Sequence, residues 1–428
     1  MRFVTIVAVV AAGSALVGMS DDKPAQPAQA PAVSHEAGPD ETVRRNGERL
    51  FEEGRRVFRF DTFGDEAFWG DTLKLHQAIE GERFGGVGPG VSPATALAVG
   101  LKVDADALPP PALNAIKHGR VNVNDPAVTL ALLDANAVVG VTAHRNSTGG
   151  LSSIGIQCSF CHSTVDDSVV PGVGRRLDGW PNRDLNVGAI VALAPDLSVV
   201  ADLLQTDQAT VRTVLNSWGP GKFDAALLLD GQAFRPDGRS AATLIPAAFG
   251  LAGVNLHTYT GWGGVSHWNA LVANLEMHGK GTFIDARLND ELRFPIAAHN
   301  DFAEVRNDPD LVTPKLPALH FYQLALPAPK PPASSFDATA AARGKTAFNG
   351  SARCSTCHVP PLFTEPGWNM HTAAEIGIDD FQAGRSPDQR YRTTPLAACS
   401  LGRRAASITT AGSRTSEPSS SITTRCSH

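Results

Sequence analysis

Apolar positions recur at helical spacing in several well-separated stretches of the chain. Leu50, Phe51, Val57 and Phe58 form a broad apolar stripe over residues 46–58, which predicts an amphipathic helix. Residues 341–348 (AARGKTAF) repeat that pattern in shorter form. Residues 198–218 predict helix, and 267–279 (HWNALVANLEMHG) predict an amphipathic helix that closes a first domain. Strand signals are scarce: 59–151 reads as helix and loop, and 150–183 is rich in Gly, Ser and Pro. The run GGVGPG at 85–90 lacks the strand before and the helix after that a phosphate loop needs, so it reads as surface turns. A Pro-rich stretch at 326–334 predicts a semi-rigid linker. The expected fold class is mostly α with long loops, in two domains at 41–325 and 335–398.

The two ends follow other rules. Arg2 precedes an uncharged apolar run over 3–17, and Ala28-Gln29-Ala30 is a candidate cleavage site; 1–20 therefore reads as an export signal and 21–40 as a flexible leader. The alternative, an uncleaved membrane anchor, meets a run slightly short for a spanning helix. Residues 399–428 hold 13 Ser or Thr among 30, with no Phe, Tyr, Trp or Val, and cannot supply a packed helix.

Composition narrows the chemistry. A hydrophobic content of 43% over 428 residues supports real cores, and a net charge of -6 argues against a nucleic-acid binder. Of six cysteines, four lie in two copies of one pentapeptide: Cys158-Ser159-Phe160-Cys161-His162 and Cys354-Ser355-Thr356-Cys357-His358. Cys-x-x-Cys-His is the attachment signature of a c-type haem. On the first turn of a helix, cysteines three apart share a face and can both bond the porphyrin vinyl groups. The following histidine then supplies the proximal iron ligand. The chain is thus expected to bind two haem c groups through Cys158, Cys161, Cys354 and Cys357, with His162 and His358 on the irons. Zinc knuckles or a redox dithiol are the competing readings. Neither explains a histidine after the second cysteine in both copies. Cys399 and Cys426 are left over, and no disulfide framework is visible.

For the distal side of each haem, methionines are the sparse resource. Beyond the leading segment only Met277 and Met370 occur, one per domain, each followed by a histidine (His278, His371). A thioether opposite histidine raises a haem potential, a second histidine lowers it, and an open face permits ligand chemistry. Met277 and Met370 are therefore candidate distal ligands, with His278, His257 and His267 competing in the first domain. The plainer role for Met277 is core filler on an amphipathic helix. Met370 lies 12 residues past His358, which allows a path around the macrocycle edge. Trp262, Trp268 and Trp368 are candidate inter-haem aromatics or core residues. His76, His118 and His299 read as surface or satisfied polar residues.

An Arg/Gly helix ending in Phe just upstream of a haem motif resembles the first helix of cytochrome c domains. The stretches RGKTAFNG, CSTCHVPPLFTEPGWNMH and RYRTTPL (390–396) resemble the bacterial di-haem cytochrome c peroxidase superfamily, which includes the di-haem enzyme that matures methylamine dehydrogenase. The match covers about sixty residues from Arg343 onward. The first half shares only CSFCH, and 59–151 would be a large insertion in the first haem domain. The resemblance implies two cytochrome c-like domains, one haem a six-coordinate relay and the other open to peroxide or another oxidant. It also implies an aromatic-rich run with His-Asp-Gly after RYRTTPL, whose preceding residue ligates the second haem. The chain leaves that pattern at Ala397, so the second domain is expected to be incomplete. From Ala406 the residues are compatible, one base out of phase, with such a run, and a frameshift is the expected cause. Attachment of haem c in bacteria resembles a periplasmic process, which agrees with an export signal and a periplasmic address.

Two functions follow. The first is an exported cytochrome that passes electrons through two covalently bound haems to and from redox partner proteins, such as a small cytochrome donor. The alternative is a peroxidase-like or oxygenase-like oxidoreductase with one open iron, acting on hydrogen peroxide or another oxidant. No Met or His occurs between His162 and His257, which favours an open first haem. A haem-based gas sensor is a third class. Membrane association is expected only if the leading segment is uncleaved.

Overall fold

The stripe at 46–58 forms the predicted helix, but as part of a longer one, Pro39–Phe60. Proline suits the first helical position, and Asp40 and Glu41 complement the helix dipole there. This computed structural model describes residues 38–397. The signal segment 1–20, nearly all of the leader 21–40 and the tail 399–428 lie outside the described residues. Two units are distinguished, Met1–Arg45 and Asn46–His428. In the first, the described residues are the opening turns of the helix, where Arg44 and Arg45 both pair with Glu41. All other elements belong to the second unit. No helix among the described residues is long and apolar enough to cross a membrane.

Of the described residues, 42% are helical and 11% lie in strands that form only small sheets. Mostly α holds as the coarse class, with a correction: there are five two-stranded sheets among the described residues. The longest is the antiparallel hairpin Val141–Arg145 with Leu151–Ile156, at the end of a stretch read as helix and loop. Its first strand buries only Val141, so no clear alternation announces it. The remaining strands have two or three residues, too few to show a period.

Two predicted helices are interrupted. Residues 198–218 form Ser198–Leu203 and Gln208–Ser217. The break falls where Gln205 takes a left-handed φ of 54° and Asp207 caps the second helix by accepting from Thr210 N at 2.9 Å. Residues 267–279 form Val265–Leu271 and then a wider π turn, Val272–Glu276. Such turns are frequent at functional sites. The repeat at 341–348 lies in the helix Ala338–Asn349, opened by Asp337, which accepts from Thr339 N and Ala340 N.

The largest core runs from Trp69 to Ile245 and takes in Phe160 of the first pentapeptide. Trp69, Leu73, Leu75, Leu130, Leu133, Val138 and Val141 belong to it, so the stretch 59–151 builds this core instead of sitting outside it. Each such side chain contributes about 1.5–3 kcal/mol when buried. A second cluster joins Val57 and Phe58 to Met277, Leu319 and Tyr322, with Cys158 against it. There the first helix crosses Leu316–Ala325 so closely that a Cβ on Gly54 would meet Ala318 O at 1.9 Å. Beyond residue 335 the packing changes. Ala383 and Tyr391 are the only buried apolar residues described in 335–397, and none of Ala338–Asn349 is buried. Polar anchors hold this segment instead: Arg385 Nε and Nη2 donate to Asp230 at 2.6 and 2.9 Å, and Gln382 Nε2 donates to Ala241 O at 2.7 Å.

Candidate functional site

The first pentapeptide is locked from several sides. Ser159–His162 is a single helical turn between Leu151–Ile156 and Ser163–Val165. Gly140, at φ +83°, lies against it, and a Cβ there would stand 2.2 Å from Phe160 Cα. Asp178 gathers three donors beside the turn: Arg59 Nε at 2.6 Å, Tyr322 OH at 2.6 Å and Ser163 Oγ at 2.8 Å. His162 Nδ1 lies 3.1 Å from the carbonyl of Pro246. A carbonyl only accepts, so Nδ1 carries the proton and Nε2 is the free lone pair, the tautomer a metal ligand needs. Burial lowers the pKa of His162 to about 4, which keeps the ring neutral.

Cys158, Cys161 and His162 line one wall of a cavity of about 500 Å³. The rest of the lining is largely aliphatic and aromatic, including Val191, Leu215, Trp218, Leu228, Trp262 and Trp268. This is the lining a cofactor pocket requires, apolar with a few converging polar groups. Two thiols, a histidine kept neutral by burial and a largely apolar volume border this one cavity, a set of groups that fits a covalently held haem. Gln382, Arg385 and Arg392 also reach this cavity, so the second half of the chain completes a site begun by the first.

Several polar groups in the wall have no partner. Glu276 Oε1 and Asp224 Oδ2 are shielded from solvent and make no hydrogen bond. Burial raises the Glu276 carboxyl well above its ordinary value, and Asp224 adds to this. Burial likewise raises Asp224 to about 6, opposed by Arg385, whose Nη1 lies 3.0 Å away. Neither carboxyl was marked by the sequence patterns. The one available signal was Glu276 as the only acidic residue in the amphipathic stretch 267–279.

The distal candidates of the first domain separate. Met277 is 6% exposed and belongs to the cluster of Val57, Phe58 and Tyr322, on the side where Cys158 also packs. It thus packs in a core and also lines the cavity. His278 stacks on Phe68 at 3.6 Å, and burial lowers its pKa to about 4. His257 Nε2 meets Val254 O at 3.1 Å, while its Nδ1 is buried and unpartnered at the cavity. His267 Nε2 is held by Asp285 at 3.0 Å, and this residue is not in the cavity wall.

At the second pentapeptide the local geometry repeats. Cys354–Thr356 is a short 3-10 turn, and His358 Nδ1 lies 3.1 Å from Phe363 O. The surroundings do not repeat. Phe336, Val359 and Trp368 are exposed, Trp368 at 72%. Met370 is half-buried, and its carbonyl accepts from Arg390 Nη1 at 3.5 Å. His371 is held on both ring nitrogens, by Glu365 at 2.6 Å and Glu375 at 3.0 Å. Burial opposes its protonation, but the two carboxylates outweigh this and raise its pKa. With both ring nitrogens engaged by carboxylates, the ring presents no unengaged nitrogen in this arrangement.

The competing chemistries find less support. Burial pushes the thiols of Cys158 and Cys161 up to about 12, far from the reactive thiolate of a redox dithiol. Among the described residues the one metal-capable group is Cys357, Glu365 and His371, with ligand atoms within 4.8 Å of one another. It takes a single cysteine, and the two Cys-x-x-Cys pairs do not join in a zinc knuckle. No family model, no curated protein and no solved structure matches this chain.

Proposed function

We propose that this chain is an exported di-haem c-type cytochrome that carries electrons through two covalently bound haems. The observation that carries the reading is the shared histidine bond. In both pentapeptides Nδ1 lies 3.1 Å from a backbone carbonyl, leaving Nε2 for iron. The asymmetry of the two sites adds direction. The second, at an open and partly apolar surface, is where a small cytochrome or similar donor exchanges electrons. The first, at a largely apolar cavity, receives or stores them. The likeness to the di-haem cytochrome c peroxidase superfamily and the signal-like leading segment support the same reading.

A second reading has its own observation. The cavity before Cys158, Cys161 and His162 contains the unpartnered carboxyl of Glu276. A protonated carboxyl near an iron with an open face is suited to peroxidase-like chemistry. Haem counting and spin resonance on the exported holoprotein separate the two. Two low-spin haems per chain, inert to hydrogen peroxide, are expected for the carrier. A high-spin ferric haem that reacts with peroxide transfers the assignment to the enzyme. Colourless or zinc-bearing protein removes both.

A further inference from the structure

Arg392, in the RYRTTPL stretch, is a charged group without a counter-charge. It reaches the wall of the first cavity. Its backbone N–H donates to Tyr259 O at 3.1 Å, and its Nε donates to Thr258 O. Its Nη1 is shielded from solvent and has no hydrogen-bond partner. Burial lowers its pKa to about 10, Tyr259 alone opposes this, and no carboxylate among the described residues contributes. Arg385, earlier in the same segment, is the contrast: Asp230 and Asp224 both pair with it.

The loop 257–263 is shaped around this side chain. Gly261 sits at φ +60°, and a Cβ there would stand 2.9 Å from Arg392 Cβ. Thr258 holds φ +65°, a conformation that β-branched residues rarely adopt. Its Oγ1 is also shielded, unpartnered and at the cavity. Two unpartnered donors therefore belong to residues that line the same cavity and are joined by the bond from Arg392 Nε to the Thr258 carbonyl.

A desolvated guanidinium without an anion is costly, and its planar fork matches a carboxylate. The chain provides no carboxylate here, so the cavity's occupant must. A haem carries two propionate carboxylates on the edge remote from its vinyl groups, and the vinyl edge is the one Cys158 and Cys161 would take. We propose that Arg392, with Thr258 Oγ1, holds a propionate of the haem attached at the first pentapeptide. The second half of the chain thereby clamps a cofactor that the first half binds. This rests on the reading of the first pentapeptide as a haem site.

The experiment tests attachment and clamp separately. In Arg392→Gln holoprotein, mass analysis of the proteolytic peptide containing Cys158 and Cys161 reports whether haem is attached. Spectroelectrochemical titration and the resonance Raman propionate modes then report on the clamp. A downward shift in the midpoint potential of the first haem is expected, because removing an adjacent cation favours the ferric form, together with a shifted propionate mode. Arg392→Lys should restore most of the potential. Thr258→Val should move it in the same direction by less, and it keeps the test open if Arg392→Gln does not fold. Attached haem with potential and propionate modes unchanged in both Arg392→Gln and Thr258→Val overturns the proposal and leaves the haem reading standing. A haem-free peptide overturns both. If added acetate perturbs the unaltered protein but not Arg392→Gln, with propionate modes the same in each, the guanidinium holds a free carboxylate and the proposal fails.

Discussion

The two pentapeptides share their spacing and their histidine-to-carbonyl bond, and their cysteines are alike half-buried, yet their surroundings differ. Around the first, Phe160 is buried in the main core, and cysteines and histidine line a largely apolar cavity. Around the second, the preceding helix buries nothing, and Val359 and Trp368 lie open. The difference separates two levels of encoding. The turn itself is written in five residues, but the carbonyl that orients each histidine is not: Pro246 lies far along the chain from His162, and Phe363 lies beyond the second pentapeptide. Environment is written across the whole chain, since the first cavity draws on residues from Phe68 to Arg392. Burial and dielectric tune a haem's potential and access, so two identical motifs are expected to behave differently.

The comparison breaks most directly at the cysteines. Cys158→Ala with Cys161→Ala, and Cys354→Ala with Cys357→Ala, should each halve the haem per chain in a pyridine haemochrome assay. Only the first pair should also lower Tm markedly, because it empties a cavity inside the main core. Equal Tm losses would show that burial is not what distinguishes the sites.

Next comes the anchor between the halves. Arg385→Met leaves Asp230 and Asp224 buried without their cation, which should cost about 3–5 kcal/mol in denaturant unfolding. A loss below about 1 kcal/mol would mean the second half is held by something other than this pair.

A pH series sharpens the first site. Burial raises the Asp65 carboxyl to about 9, and its oxygens accept from Ile156 N at 3.2 Å, just before the first pentapeptide. Folding therefore takes up a proton between the unfolded value of 3.8 and about 9. Stability contributed by this group is complete below the lower value and is lost as pH rises through that window. Asp65→Asn keeps an acceptor for Ile156 and should flatten the decline of Tm with rising pH. An unchanged slope would point to other titrating groups.

The smallest effect is expected at the second site's surface. Trp368→Ala should change stability by less than about 0.5 kcal/mol, since the side chain is 72% exposed. A larger loss in thermal unfolding would mean that the open face is covered in solution.

Residues 46–58 and 341–348 were legible because each carries its signal within a short run of chain. The hairpin at 141–156 was not, because pairing between strands leaves a trace only when both alternate, and Val141–Arg145 does not. The contribution of 59–151 to the main core was not legible for a related reason. Apolar residues such as Trp69 and Leu133 declare burial in a sequence, but not the core they join. Met277 drew attention as a rare thioether, and it both packs against Val57, Phe58 and Tyr322 and lines the cavity of the first pentapeptide.

The sequence by itself determined where two thiols and an adjoining imidazole stand together, since that spacing is a property of one short turn. It also determined the coarse helical class. Tertiary structure alone decided which pentapeptide borders the apolar cavity, which carbonyl orients each histidine, and which charges end without partners. Pro246, Glu276, Arg385 and Arg392 meet the first site from far along the chain. Contacts of that kind follow from how the segments fold together, and no local pattern of residues records them.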